Sequence, residues 1–268
     1  MTNWQQIDTL SRSLRANNPG PMTLEGTNSY VLGAADSPTV VVVDPGPLLE
    51  EHLQELADAG TVGLILITHH HGDHTDGSAR LHQITGAPVR AAHPDFCHAG
   101  EPLADGEVIR AAGLDITVLA TPGHTSDSLC FEVTGDDGHS SVLTGDTVLG
   151  RGTTVICHPD GRLGDYLTSL EKLRIRGSVG GVRKALPGHG PVLADLAIAA
   201  AGYQEHRRER LAQVRTAVAL LQARTGEAPD AAAVTAEVYG DVPANVQGAA
   251  QLSVEAQLAY LRAEGTGN

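Results

Sequence analysis

Thr68-His69-His70-His71-Gly72-Asp73-His74 follows directly on the apolar run of residues 62–67, and this junction decides how the chain is read. The apolar run has the length and β-branched content of a buried strand, so it delivers three histidines and an aspartate to the end of a sheet. In extended backbone His69 and His71 project to one side and His70 to the other. One metal ion can take the first pair. Gly72 allows a sharp turn, which lets Asp73 and His74 face a second position beside the first. The stretch therefore predicts a two-metal site, and imidazole with carboxylate is a donor set suited to zinc.

Four side chains do not complete two ions, so the reading demands further ligands at strand ends. Three turns supply them: Thr121-Pro122-Gly123-His124-Thr125, Leu143-Thr144-Gly145-Asp146-Thr147 and Leu186-Pro187-Gly188-His189-Gly190-Pro191. Each sets a histidine or aspartate beside a glycine after an apolar segment. One Gly-His or Gly-Asp pair is common in ordinary loops; three in this order are not. A structural zinc site is normally closed by four ligands, often cysteines, whereas this set has seven members and no cysteine.

With these residues in place the chain resembles the metallo-β-lactamase fold hydrolases, whose pattern is His-x-His-x-Asp-His followed by a separate His, Asp and His. The resemblance implies an α/β fold of the αββα sandwich type, with two zinc ions per chain. It assigns His69, His71 and His124 to the first ion, Asp73, His74 and His189 to the second, and Asp146 to a bridge between them. Asp44, in Val41-Val42-Val43-Asp44-Pro45-Gly46, matches the family's first motif and is expected to orient a ligand histidine. The stretch from Asn18 to Tyr30, the Pro-Gly-His-Gly-Pro turn, Gly152-Thr153-Thr154-Val155 and Val238-Tyr239-Gly240-Asp241-Val242-Pro243 look like the β-lactamase-like endoribonuclease group and its actinobacterial relatives. That likeness implies a small C-terminal helical, winged-helix-like domain, placed at residues 194–268 after a catalytic domain at 1–193.

Period and turn residues predict strands at 30–33, 39–43, 62–68, 89–92, 116–119, 129–133, 141–143 and 184–186. They predict helices at 48–58, 75–85, 166–174 and 194–224. The chain has 268 residues, 41% hydrophobic and only 3% aromatic, so its core must be aliphatic. No stretch reaches the roughly 18 apolar residues of a membrane span, and the first fifteen residues lack an apolar signal core, which places the protein in the cytoplasm. Cys97, Cys130 and Cys157 are too scattered for a disulfide framework or a cysteine-zinc site. His52, His82, His98 and His139 read as surface residues, and His70 as a neighbour of the centre rather than a ligand.

The chemistry expected of two adjacent zinc ions is hydrolysis by a metal-bridging hydroxide, with Asp73 orienting it and moving its proton. Asn28 and Tyr166 are candidate pocket residues. The resemblance makes single-stranded RNA the leading substrate. A formal charge of −14 opposes polyanion binding, however, and keeps a small-molecule acyl hydrolase acting on thioesters, lactones or lactams as the alternative. His206-Arg207-Arg208-Glu209-Arg210 is the one basic run, read as a solvated helix face paired with Glu205 and Glu209. A non-catalytic nucleic-acid-binding regulator is the remaining reading, and the complete ligand set argues against it.

Overall fold

The computed structural model describes residues 4–135, 138 and 140–266; His139 lies outside the described residues. In chain order the strands are β1 (Trp4–Gln6), β2 (Ser11–Arg15), β3 (Asn28–Leu32), β4 (Val40–Val43), β5 (Val62–Leu66), β6 (Val89–Arg90), β7 (Val108–Ala111), β8 (Leu114–Ala120), β9 (Leu129–Thr134), β10 (Ser140–Gly145) and β11 (Lys184–Pro187). The helices are α1 (Glu50–Ala57), α2 (Gly72–Thr75), α3 (Ser78–Thr85), α4 (Leu163–Ser178), α5 (Leu196–Thr225), α6 (Ala231–Tyr239) and α7 (Gln247–Thr266).

The strands form two sheets, ordered β1-β2-β3-β4-β5-β6 and β11-β10-β9-β8-β7. Alternation along β4 shows how the layers arise. Val41 and Val43 enter the core between the sheets, with Tyr30, Leu32, Leu64 and Leu66 of the same sheet and Ile116, Val118, Phe131 and Leu143 of the other. Val42 points the opposite way, into a second core with Ile65, Ile67 and the inward faces of α1 and α3 at Leu53, Leu56 and Leu81. On the far side, Cys130, Val142 and Ala185 pack against Tyr166, Leu170 and Leu173 of α4 and Leu196 and Ala200 of α5. The result is the expected αββα sandwich with a helical C-terminal region.

All eight expected strands are present, and three more join them. In β2, Ser11-Arg12-Ser13-Leu14-Arg15 carries almost no apolar signal, because its serines are covered by chain contacts rather than by apolar burial. The expected helix at 75–85 is two elements. Gly77 interrupts it: a Cβ there would stand 2.7 Å from Leu53 and 3.0 Å from the Gly46 carbonyl, and its amide donates to that carbonyl at 2.9 Å. After Pro187 the described residues form no further strand, so the C-terminal region is a helical cluster without a paired wing. Its own core is Val214, Ala217, Val234, Val254 and Leu258. The N-terminal half of α5 instead belongs to the sandwich core, so one long helix joins both. Among the described residues no helix is long and apolar enough to cross a membrane.

Phe131 is fully buried at the centre of the inter-sheet layer. Phe131→Ala is expected to lower stability by about 3–5 kcal/mol through lost contacts and the cavity left behind, read as the shift in the denaturant midpoint.

Candidate metal centre

Five strands end at one edge of the sandwich, and each hands over one piece of the site. β4 ends into Asp44, β5 into the histidine run, β8 into the His124 turn, β10 into Asp146 and β11 into His189. Gly72 opens α2 instead of making a left-handed turn, so a helical turn re-aims Asp73 and His74. Gly188 is required by crowding: a Cβ there would lie 2.5 Å from Asp146 Oδ1 and 2.7 Å from His74 Cε1.

The seven predicted ligand residues converge. Their donor atoms form three groups that could hold metal: His69, His71 and His124; His69, His74 and Asp146; and Asp73, His74 and His189. His71 Nδ1 lies 3.1 Å from His69 Nε2 and 3.0 Å from His124 Nε2. His74 Nε2 lies 3.3 Å from His189 Nε2, and His189 Nε2 lies 3.1 Å from Asp73 Oδ2. Asp146 reaches both halves, with Oδ1 3.5 Å from His74 Nε2 and Oδ2 3.8 Å from His124 Nε2. Two ligand atoms on one tetrahedral ion stand roughly 3.4 Å apart, so these separations fit shared ions. Asp146 Oδ1 is buried and has no hydrogen-bond donor, as expected of a ligand oxygen.

The outer nitrogens are held by the protein, which fixes the tautomers. His124 Nδ1 donates to the Val155 carbonyl at 2.6 Å, and His189 Nδ1 to that of Gly26 at 3.3 Å. Asp44 Oδ2 accepts from His74 Nδ1 at 2.8 Å and from Thr68 Oγ1 at 2.7 Å. Having given its proton to Asp44, Thr68 Oγ1 accepts from His69 Nδ1 at 3.0 Å. His70 turns away, to Asp127 at 2.8 Å, and joins none of the three groups.

Residues 22–189 match the model of the metallo-β-lactamase superfamily. The chain belongs to that superfamily. It is 32% identical over 248 residues to a lactamase-like protein of Penicillium aethiopicum, covering 87% of this chain and 74% of the relative. It is 32% identical over 258 residues to an atrochrysone carboxyl ACP thioesterase of Aspergillus fumigatus, covering 90% and 78%. A metallo-β-lactamase family protein of Thermus thermophilus shares the fold, with a TM-score of 0.76 at 24% identity over 95% of this chain and 94% of that one. These relatives are lactamase-like and thioesterase proteins, so they support the superfamily and not the endoribonuclease group within it.

Of the two expected pocket residues in this metallo-β-lactamase fold, neither is free for substrate. Asn28 donates both amide hydrogens, to Pro187 and Gly190 carbonyls at 3.0 and 2.9 Å, and so braces the His189 turn. Tyr166 is fully buried, its hydroxyl donating to the Thr147 carbonyl at 2.6 Å. His52 is also buried rather than on the surface, hydrogen-bonded to Ser29 at 2.8 Å. Sequence reasoning passed over Thr68, although its place directly before His69 offered a clue, and Thr154, whose hydroxyl lies 3.1 Å from His124 Nδ1.

Electrostatically the centre has two halves. Burial, with the nearby positive charge of His74, holds His69 well below its ordinary pKa, and burial with His124 brings His71 down to about 4. These imidazoles are neutral at pH 7, the form in which they could bind a metal. In the other half burial opposes protonation but the carboxylates outweigh it: Asp146 and Asp73 push His189 up to about 10, and Asp44 and Asp146 raise His74. His189 thus carries a proton at pH 7 in the carboxylate-rich half of the metal-free chain. Ligation needs neutral imidazole, so metal loading at pH 7 is expected to release protons and to weaken as pH falls. Calorimetry in buffers of differing ionisation enthalpy checks this, and loading without proton release would contradict it. Asp146→Ala is expected to lose metal from both positions, read by elemental analysis after gel filtration, whereas His70→Ala should keep its metal content.

Proposed function

We propose that this protein is a zinc-dependent hydrolase of small acyl compounds, with thioesters as the leading substrate class. The observation that carries the reading is a cavity of about 330 Å³ that begins at His124 and Asp146 and runs outward between the sandwich and the C-terminal helices. Met22, Leu24, Leu149 and Val155 line it from one side, and Val242, Val246 and Ala249 from the other. These apolar stretches suit an acyl chain, beside a wall that also carries Arg151, Arg207 and Arg210. A polynucleotide calls instead for an extended basic groove, and the formal charge of −14 repels one at long range. Similarity to a thioesterase supports the same choice.

Two cations held by the seven residues would polarise the scissile carbonyl and bring a water's pKa toward neutrality. The nitrogen-rich donor set suits zinc. The chain's own residues hold the rest of the geometry. Asp73 is the most open carboxylate of the set, its side chain 28% exposed. Thr27 Oγ1 donates to Asp73 Oδ2 at 3.2 Å and fixes that carboxylate, leaving the other oxygen to orient the attacking water and accept its proton. Although burial acts to raise it, the hydrogen bond from His189 and the charge of His74 bring Asp73 down to about 2, so it is ionised at neutral pH.

Purified protein of measured zinc content is assayed on an acyl thioester, a chromogenic lactam and fluorescent single-stranded RNA, beside Asp73→Ala. Thioester hydrolysis is expected to fall by about 100-fold or more in the variant, with RNA left intact. RNA cleavage that Asp73→Ala abolishes, without acyl hydrolysis, would overturn the reading in favour of a nuclease.

A further inference from the structure

The basic run on α5 splits into two faces. Arg208 lies in solvent beside Glu205 at 3.4 Å, as expected of a solvated helix face. Arg207 does not: it is 4% exposed and lines the cavity that opens on His124 and Asp146. One of its guanidinium nitrogens donates to the Thr154 carbonyl, and its Cζ lies 5.1 Å from the centre of the Tyr166 ring. Its Nε is buried without an acceptor. Among the described residues no carboxylate lies within ion-pair distance of it. A carbonyl and a ring carry no formal charge, so the guanidinium remains an uncompensated buried cation, an arrangement proteins rarely keep without a partner.

One more cation adds to the positive potential of this wall. His206 and Arg210 line the same cavity. Arg210 is held in place by Gln213 at 2.8 Å and by the Tyr239 ring at 5.2 Å, neither of which neutralises it. Partial burial, together with Arg207 and Arg210, lowers the pKa of His206 against the opposing pull of Glu209, so its imidazole is neutral at pH 7. Arg151, also at the cavity, is by contrast paired with Glu25.

We propose that Arg207, assisted by Arg210, is an anion subsite that receives a carboxylate carried on the acyl group of the substrate, so that the preferred substrates are monothioesters of dicarboxylic acids. The inference rests on the acyl-hydrolase reading above. Arg207 holds the carbonyl of Thr154, and the hydroxyl of the same Thr154 touches His124, so subsite and metal centre are one residue apart. A carboxylate a few carbons from the scissile carbonyl is the expected occupant, because Arg207 and His124 line one cavity and share Thr154 as a neighbour. Arginine suits the task because its planar fork matches a carboxylate.

The test compares glutaryl and pentanoyl thioesters of N-acetylcysteamine, which differ by the carboxylate, and the pentanoyl thioester of phosphopantetheine. Wild type is expected to favour the glutaryl thioester in kcat/KM by roughly ten- to a hundredfold, the range of a charge-assisted hydrogen bond, and R207M to collapse that ratio. R207K should restore part of the preference, and R210A, at a more exposed position, should reduce it less. An equal fall on both N-acetylcysteamine thioesters would mean that Arg207 only positions His124 through Thr154, and overturns the subsite. A preference for the phosphopantetheine thioester alone overturns it as well. Calorimetric titration with glutarate and with neutral glutaramide separates this inference from the one beneath it. Glutarate binding that R207M weakens supports the subsite even if no thioester is cleaved, in which case only the acyl-hydrolase reading falls. Thioester hydrolysis with neither glutaryl preference nor glutarate binding sinks the subsite alone.

Discussion

The buried carboxylate of Asp44 is the constraint on which the metal-facing edge depends. It is 2% exposed, a position a carboxyl group holds only when its oxygens are hydrogen-bonded. Asp44 Oδ1 accepts from the Thr68 amide at 2.8 Å, and Oδ2 from Thr68 Oγ1 and from His74 Nδ1. Those donors tie the end of β4 to the end of β5 and to the short helix that follows. The residue holds a left-handed backbone conformation, φ 51°, which aspartate tolerates better than most side chains. Its own amide continues the ladder to Leu66 at 2.9 Å, so the strand pairing and the histidine orientation are set by one residue.

The same economy governs the other sheet. β10 and β11 are parallel neighbours, so Asp146 and His189 leave the sheet at the same edge and on adjacent strands. The two sheets bring their ligand-bearing ends together because both bury the same apolar layer around Phe131 and Leu143. Histidine rings at 0–2% exposure, at His69, His74, His124 and His189, then meet from strands far apart in sequence. Packing of aliphatic residues, with few aromatics, thus determines where the polar chemistry stands.

Charge is distributed unevenly, and the unevenness has a physical use. An overall formal charge of −14 discourages extended polyanions at a distance. Inside the cavity the balance shifts, since Arg207 and Arg210 line it and, among the described residues, neither has a carboxylate at ion-pair distance, while Asp146 stands at the metal-facing end. Long-range repulsion is screened by salt, whereas an interaction in a buried cleft is screened much less, so the two need not compete for a small ligand.

The sequence by itself determined which seven residues make up the candidate centre and their place at strand ends. His69, His71, Asp73, His74, His124, Asp146 and His189 sit in short segments whose glycines and preceding apolar runs are local, and local pattern is what a chain reveals. Elements with weak local pattern were not legible: β1 and β2 at the sheet edge are largely polar, and β7 was passed over. Only the tertiary structure decided what each helix face meets. Arg207 and Arg208 are neighbours in the chain, yet one is buried against Tyr166 and the other lies in solvent, because burial on a helix depends on the surface packed against it. Tyr166 and Asn28 went the same way, from candidate pocket residues to a buried core tyrosine and a brace for the His189 turn. The cavity itself needs both the sandwich and the C-terminal helices, and no stretch of sequence contains a space that two distant segments enclose.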